Sequence, residues 1–138
     1  MEGSIHHICF ADDDSDDHLI FSDIMEECFP EIALHLFFHC KDLIAFLNDP
    51  GSPLPDVIFL DHNMPGNDGH KCLQSLKCSA RLLHIPVVIY STAGYGPVAQ
   101  KAKDFGAYEY MVKQGSFQEA KAEISALIHK LQEMTIPH

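Results

Sequence analysis

Val57-Ile58-Phe59-Leu60-Asp61 is four large apolar residues in a row closed by a carboxylate. An unbroken apolar run of this length reads as a strand buried on both faces, as in a parallel sheet covered by helices. Turn chemistry brackets it: Asp49-Pro50-Gly51-Ser52-Pro53-Leu54-Pro55 before, and Met64-Pro65-Gly66-Asn67-Asp68-Gly69 after. The same grammar recurs on either side. Ile8 to Ala11 is a short apolar run ending in Asp12-Asp13, and Ile32 to Phe38 reads as a strand. Val87-Val88-Ile89-Tyr90 follows Pro86 and ends in Ser91-Thr92, and Tyr108 to Val112 ends in Lys113.

Helical spacing fills the gaps. Ser15 to Phe29 carries Ile20, Ile24, Cys28 and Phe21, Met25, Phe29 at helical intervals, with Asp14 or Ser15 as cap and Pro30 as stop. Asp16 and Asp17 suit the positive end of that helix. Asp42 to Asn48 is a short helix, another bears Cys72, Leu73 and Leu76, and a weaker one with Val98, Ala102 and Phe105 closes at Gly106. The last has the clearest stripe, Phe117, Ala120, Ile124, Leu127, Ile128 and Leu131, opened by Ser116 and Glu119 as a capping box. Five successive βα units imply a doubly wound α/β domain, with functional groups just beyond the carboxyl ends of the strands.

Bulk properties narrow the function. A chain of 138 residues suits one domain with a real core. A net charge of -11 lacks the basic footprint of a nucleic-acid binder, so no direct nucleic-acid partner is expected. No apolar run approaches the ~20 residues of a membrane span, so no membrane insertion is expected either. There is no signal-peptide pattern at the N-terminus. The five cysteines are odd in number and form no CxxC pair, so they are expected as reduced thiols in a cytoplasmic protein.

Strand one thus delivers Asp12 and Asp13, strand three Asp61, strand four Ser91 and strand five Lys113, each expected just past its strand. Clustered carboxylates resist ionising together unless a cation is present, and a few hard oxygens suit Mg²⁺. A carboxylate nucleophile, a metal, an ammonium and a hydroxyl meet the needs of phosphoryl transfer to an aspartate. Taken singly these residues are ordinary: a helix-start acid run, a turn aspartate, a surface lysine. Their joint placement carries the reading.

The sequence resembles the receiver domains of bacterial two-component response regulators over nearly its whole length. Ala11-Asp12-Asp13 is similar to the family's acid pair. Phe59 to Gly69, with its Met-Pro and Asp-Gly, is similar to the phosphoacceptor segment, and Ile85-Pro86 to Ser91 and Tyr110 to Lys113 resemble the fourth and fifth strands. The resemblance implies a flavodoxin-like (βα)5 fold with strand order 2-1-3-4-5, one receiver over residues 1–138 (core about 5–133) and no output domain. It implies Asp61 as phosphoacceptor and Asp13, Asp61 and the Asn63 carbonyl as Mg²⁺ ligands, with Asp12 acting through metal-bound water. It further implies that Lys113 contacts the phosphoryl group and that Ser91 and Tyr110 form the switch pair. Ser91 is favoured over Thr92 by its offset from Pro86. The partners implied are a sensor histidine kinase or histidine phosphotransfer protein, docking near the first helix, and a downstream protein target or a homodimer at the surface of the fourth helix, fifth strand and fifth helix.

Two positions depart from the family. Gln114 stands where proline usually follows the lysine, commonly after a cis peptide; a cis bond is costly before a non-proline residue, so the geometry of this bond is open, and a trans bond could re-aim Lys113. Thr92 follows the switch hydroxyl where small residues are common, and is expected to slow loss of the phosphoryl group. A phosphohydrolase with an aspartate nucleophile is the rival enzyme reading, but Asn63 replaces the acid expected two residues after the nucleophile. A degenerate, phosphorylation-independent binding module draws support from Gln114 alone. No GxxxxGK[ST] or GxGxxG suggests a nucleotide switch. The histidine pairs, His6-His7 and His35 with His39, lack the companions of a metal site, and His62 beside the acceptor reads as an exposed rim position.

Overall fold

The computed structural model describes residues 5–62, 69–92 and 96–134. Alternating runs become β1 (His7–Ala11), α1 (Ser15–Cys28), β2 (Ala33–Phe37), α2 (Cys40–Asn48) and β3 (Val57–Leu60). There follow α3 (Gly69–Lys77), β4 (Val87–Ser91), α4 (Gly96–Asp104), β5 (Glu109–Val112) and α5 (Phe117–Met134). The five strands are parallel in the order β2-β1-β3-β4-β5. This is the flavodoxin-like arrangement expected from the sequence.

Side-chain alternation along each strand feeds two cores. Phe10, Phe59, Val88 and Tyr90 meet Phe21 and Ile24 of α1 and Ile124 and Ile128 of α5. On the opposite face Cys9, Ile58, Leu60 and Ile89 pack under Leu43, Leu73, Leu76 and Ala102 of α2, α3 and α4. The α5 stripe is buried as expected, Phe117 only partly. Helix ends follow local chemistry. Asp14 caps α1 by accepting from the Asp16 amide at 2.8 Å, and the Ser116 hydroxyl accepts from the Glu119 amide at 3.1 Å. Gly106, at φ +102°, supplies the left-handed turn after α4.

Three differences from the sequence reading bear on the site. Ser91 is the last residue of β4 rather than the residue after it. α2 begins at Cys40, two residues before Asp42, which turns that cysteine inward. Cys40 is disulfide-bonded to Cys72 of α3, with Cα atoms 5.9 Å apart, so the expectation of five reduced thiols is corrected. The pairing spans 32 residues and follows from α2 lying against α3, which linear spacing does not reveal. Cys9, Cys28 and Cys78 are free, and burial pushes the Cys9 thiol up to about 12. Alkylation in denaturant of protein purified without reductant should therefore add three adducts, and five after reduction. Mass spectrometry checks both numbers. Among the described residues no helix is long and apolar enough to cross a membrane.

Candidate functional site

Ladder hydrogen bonds run one residue beyond the strands and fix the groups at the carboxyl edge. The Asp12 amide donates to the Phe37 carbonyl at 3.0 Å, Asp61 to Ala11 at 2.9 Å, and Lys113 to Ser91 at 2.8 Å. Each candidate residue is thus tied to the neighbouring strand's last residue, and their side chains converge. Asp12 is fully buried, Asp61 nearly so, and Asp13 lies exposed at the rim. One oxygen from each of the three carboxylates lies within 4.8 Å of the others.

Burial raises the Asp12 carboxyl to about 6; Lys113 and the Asp14 amide pull it down, and the Asp61 charge pushes it up. Burial alone would lower the Lys113 ammonium, but hydrogen bonds to Asp12 and Asp17 and the charges of Asp12 and Asp61 outweigh it, and its pKa is raised. Lys113 Nζ lies 2.7 Å from Asp12 Oδ2, 2.7 Å from Asp17 Oδ2 and 3.5 Å from Asp61 Oδ1. Three clustered carboxylates, one of them resisting ionisation, are a donor set that fits a hard divalent cation such as Mg²⁺.

Among the described residues no peptide bond is cis, so Lys113–Gln114 is trans. With this trans bond the Lys113 ammonium lies 3.5 Å from Asp61 Oδ1. The Gln114 side-chain amide instead donates to the Val112 carbonyl at 3.2 Å.

Of the two neighbouring hydroxyls, Ser91 is fully buried and Thr92 is exposed. Tyr110 is half-buried on β5 against the α2–α3–α4 core. It pairs with Ile89, while Ser91 pairs with Val112, so Ser91 and Tyr110 stand diagonally on one face of the sheet. Asn63 lies outside the described residues.

The sequence reading missed three neighbours of the site. Asp17 contacts Lys113, as above. Tyr90, read only as strand core, lies beneath the ammonium, its ring centre 5.7 Å from Lys113 Nζ. His18 is buried on α1, where its Nε2–H donates to the Asp12 carbonyl at 2.7 Å and its ring stacks on Phe38. A histidine directly after the acid run is the one sequence signal that could have pointed to it. Gly69 completes the site from below. A Cβ there would lie 2.5 Å from the Asp61 carbonyl oxygen and 2.7 Å from His62 Cα, so the start of α3 packs on the backbone of Asp61 and His62.

The chain is similar to the phosphate regulon transcriptional regulatory protein PhoB of Klebsiella pneumoniae, 30% identical over 96 residues. That match takes in 70% of this chain and 42% of PhoB. It is also 24% identical over 127 residues to the cyclic di-GMP phosphodiesterase response regulator RpfG of Xanthomonas campestris pv. campestris (strain 8004), covering 92% of this chain and 33% of RpfG. The chain therefore spans less than half the length of either relative. In fold it resembles the phosphorylated cyanobacterial phytochrome response regulator RcpA, with a TM-score of 0.87 and 20% identity over 98% of this chain and all of that one. The Mn²⁺-bound form of response regulator Rcp1 aligns with a TM-score of 0.84 and 22% identity, over 96% and 99% of the two chains. The response regulator receiver domain model matches residues 8–125, and the chain belongs to that family.

Proposed function

We propose that the chain accepts a phosphoryl group on Asp61 from a sensor histidine kinase or histidine phosphotransfer protein, in a Mg²⁺-dependent step in the cytoplasm, and so switches a protein-interaction surface. The observation that carries this reading is the Lys113 ammonium 3.5 Å from Asp61 inside a ring of carboxylates. An oxygen of Asp61 attacks phosphorus. The new P–O bond forms as the P–N bond to the partner's histidine breaks, and that bond's electron pair stays on the imidazole nitrogen. Asp12, Asp13 and Asp61, with the Asn63 carbonyl by resemblance, would hold Mg²⁺, which supplies positive charge against the transferring oxygens. Lys113 neutralises a second part of that charge. The Ser91 hydroxyl then donates to a phosphoryl oxygen, Tyr110 follows it inward, and the surface of α4, β5 and α5 changes shape. Thr92, exposed beside Ser91, narrows the path of water to the acyl phosphate. The domain itself signals rather than turning over external substrates.

Intact mass after incubation with acetyl phosphate tests this. A single phosphoryl adduct should form, requiring Mg²⁺, and Asp61→Asn should abolish it. An adduct that persists in Asp61→Asn would sink the assignment. No adduct with any small donor or kinase would favour a phosphorylation-independent binding module.

Metal binding should depend on pH through Asp12. Its folded pKa of about 6 exceeds the ordinary 3.8, so its contribution to stability is complete below 3.8 and is lost as pH rises through 6. Mg²⁺ takes the ionised carboxylate, so its apparent affinity should fall by about tenfold between pH 7.5 and pH 5. Isothermal titration at the two pH values reads the change.

A further inference from the structure

Among the described residues, Asp17 is the one charged neighbour of Lys113 to which neither the phosphoacceptor nor the metal reading gives a task. It sits in the first turn of α1, where an acid is ordinarily explained by the helix dipole. Asp16 fits that explanation and is exposed. Asp17 instead turns back to the site and holds Lys113 Nζ at 2.7 Å.

We propose that Asp17 is a positioning residue that keeps Lys113 aimed at the phosphoryl group while Asp12 is engaged with the cation. The inference rests on the acceptor reading above. Lys113 has two close carboxylate partners, Asp12 and Asp17. Asp12 belongs to the cluster that suits a metal ion, and Asp17 does not. An Asp12 oxygen drawn towards a cation or its waters no longer holds the ammonium fully, whereas the bond to Asp17 survives. The lysine side chain is long, and ordering it costs rotamer entropy unless contacts offset the loss. Asp17 reaches Lys113 from a different element, α1, and holds the ammonium from there.

α1 is rigidly seated to provide it. Asp14 caps its start at 2.8 Å. His18, next to Asp17, is bonded to the Asp12 carbonyl at 2.7 Å, stacked on Phe38 and set edge-on against Phe10, with ring centres 4.1 and 5.4 Å away. The helix therefore presents Asp17 to Lys113 from a fixed position.

The test is phosphorylation by acetyl phosphate in Mg²⁺, followed by mass. Asp17→Asn should lower the rate constant at saturating donor by about tenfold, the weight of one charge-assisted hydrogen bond, with the half-saturating donor concentration unchanged. Asp17→Glu should recover most of the rate. In a Lys113→Met background Asp17→Asn should cost nothing further, because its effect passes through the lysine. A faster Asp17→Asn variant would make Asp17 a restraint rather than an aid, and an equal loss in the Lys113→Met background would mean it acts elsewhere; either overturns the proposal. If the wild type takes no phosphoryl group, the acceptor reading fails separately. The tether is then decided by the ¹⁵N signal of the Lys113 ammonium, which Asp17→Asn should broaden through exchange with water. An unchanged signal overturns it.

Discussion

Lys113→Met should slow phosphoryl acceptance by about a hundredfold and, in the same protein, destabilise the metal-free fold by about 3 kcal/mol at pH 7.5. Both effects have one origin. The ammonium is the cation held against Asp12, Asp17 and Asp61, and Asp12 has no contact with solvent. Removing it leaves a buried carboxylate without its charged partner and, on the proposed acceptor chemistry, takes away the fixed charge set against the phosphoryl oxygens. The loss of stability should shrink as pH falls towards 4, because the orphaned carboxylates then protonate. Millimolar Mg²⁺ should restore part of it at pH 7.5 but not the rate. Urea unfolding with EDTA or Mg²⁺, beside adduct formation measured by mass, separates the two. An unchanged rate would remove Lys113 from the chemistry.

Gly69→Ala should be the most damaging change outside the charged cluster. The added methyl carbon would meet the Asp61 carbonyl oxygen at 2.5 Å, and a backbone atom cannot swing aside as a flexible side chain does. Either α3 lifts, parting the Gly69 amide from the His62 carbonyl it reaches at 2.9 Å, or the acceptor backbone shifts. A cost of about 2 to 3 kcal/mol follows from overpacking, and a displaced nucleophile should lose a further tenfold or so in rate. Gly115→Ala is the control. Nothing lies within 4 Å of a Cβ at that exposed position, and its urea midpoint should barely move. Equal behaviour of the two variants would refute the close approach.

The fold was legible because its signals are local. Val57-Ile58-Phe59-Leu60 announces a doubly buried strand, the Phe117 to Leu131 stripe announces a one-sided helix, and a charged or hydroxyl residue at each strand end announces a shared rim. The placement of Asp12, Asp61, Ser91 and Lys113 along one edge was readable for the same reason, since strand ends in a parallel sheet lie side by side. What escaped depends on how helices sit. Asp17 lies 96 residues from Lys113 in sequence, and only the seating of α1 makes them partners. Cys40 and Cys72 meet because α2 starts two residues early and faces α3. The Lys113–Gln114 bond is trans, and the ammonium is held by Asp17 on α1 and by Asp12 just past β1, which no motif at Gln114 encodes.

Strand order also sets a timetable for the growing chain. β1 is made first but lies between β2 and β3, so it lacks one of its two neighbours until Leu60 has been synthesised. Until then β1 can pair with β2 alone, its β3 side unpaired beside apolar residues such as Phe10 that await their cover. Parallel pairings across long stretches of chain form slowly and leave apolar surface exposed meanwhile. A ribosome that stalls before β3 would therefore release a fragment prone to aggregate, whereas one that stalls after β3 would release a chain whose central strand already has both neighbours.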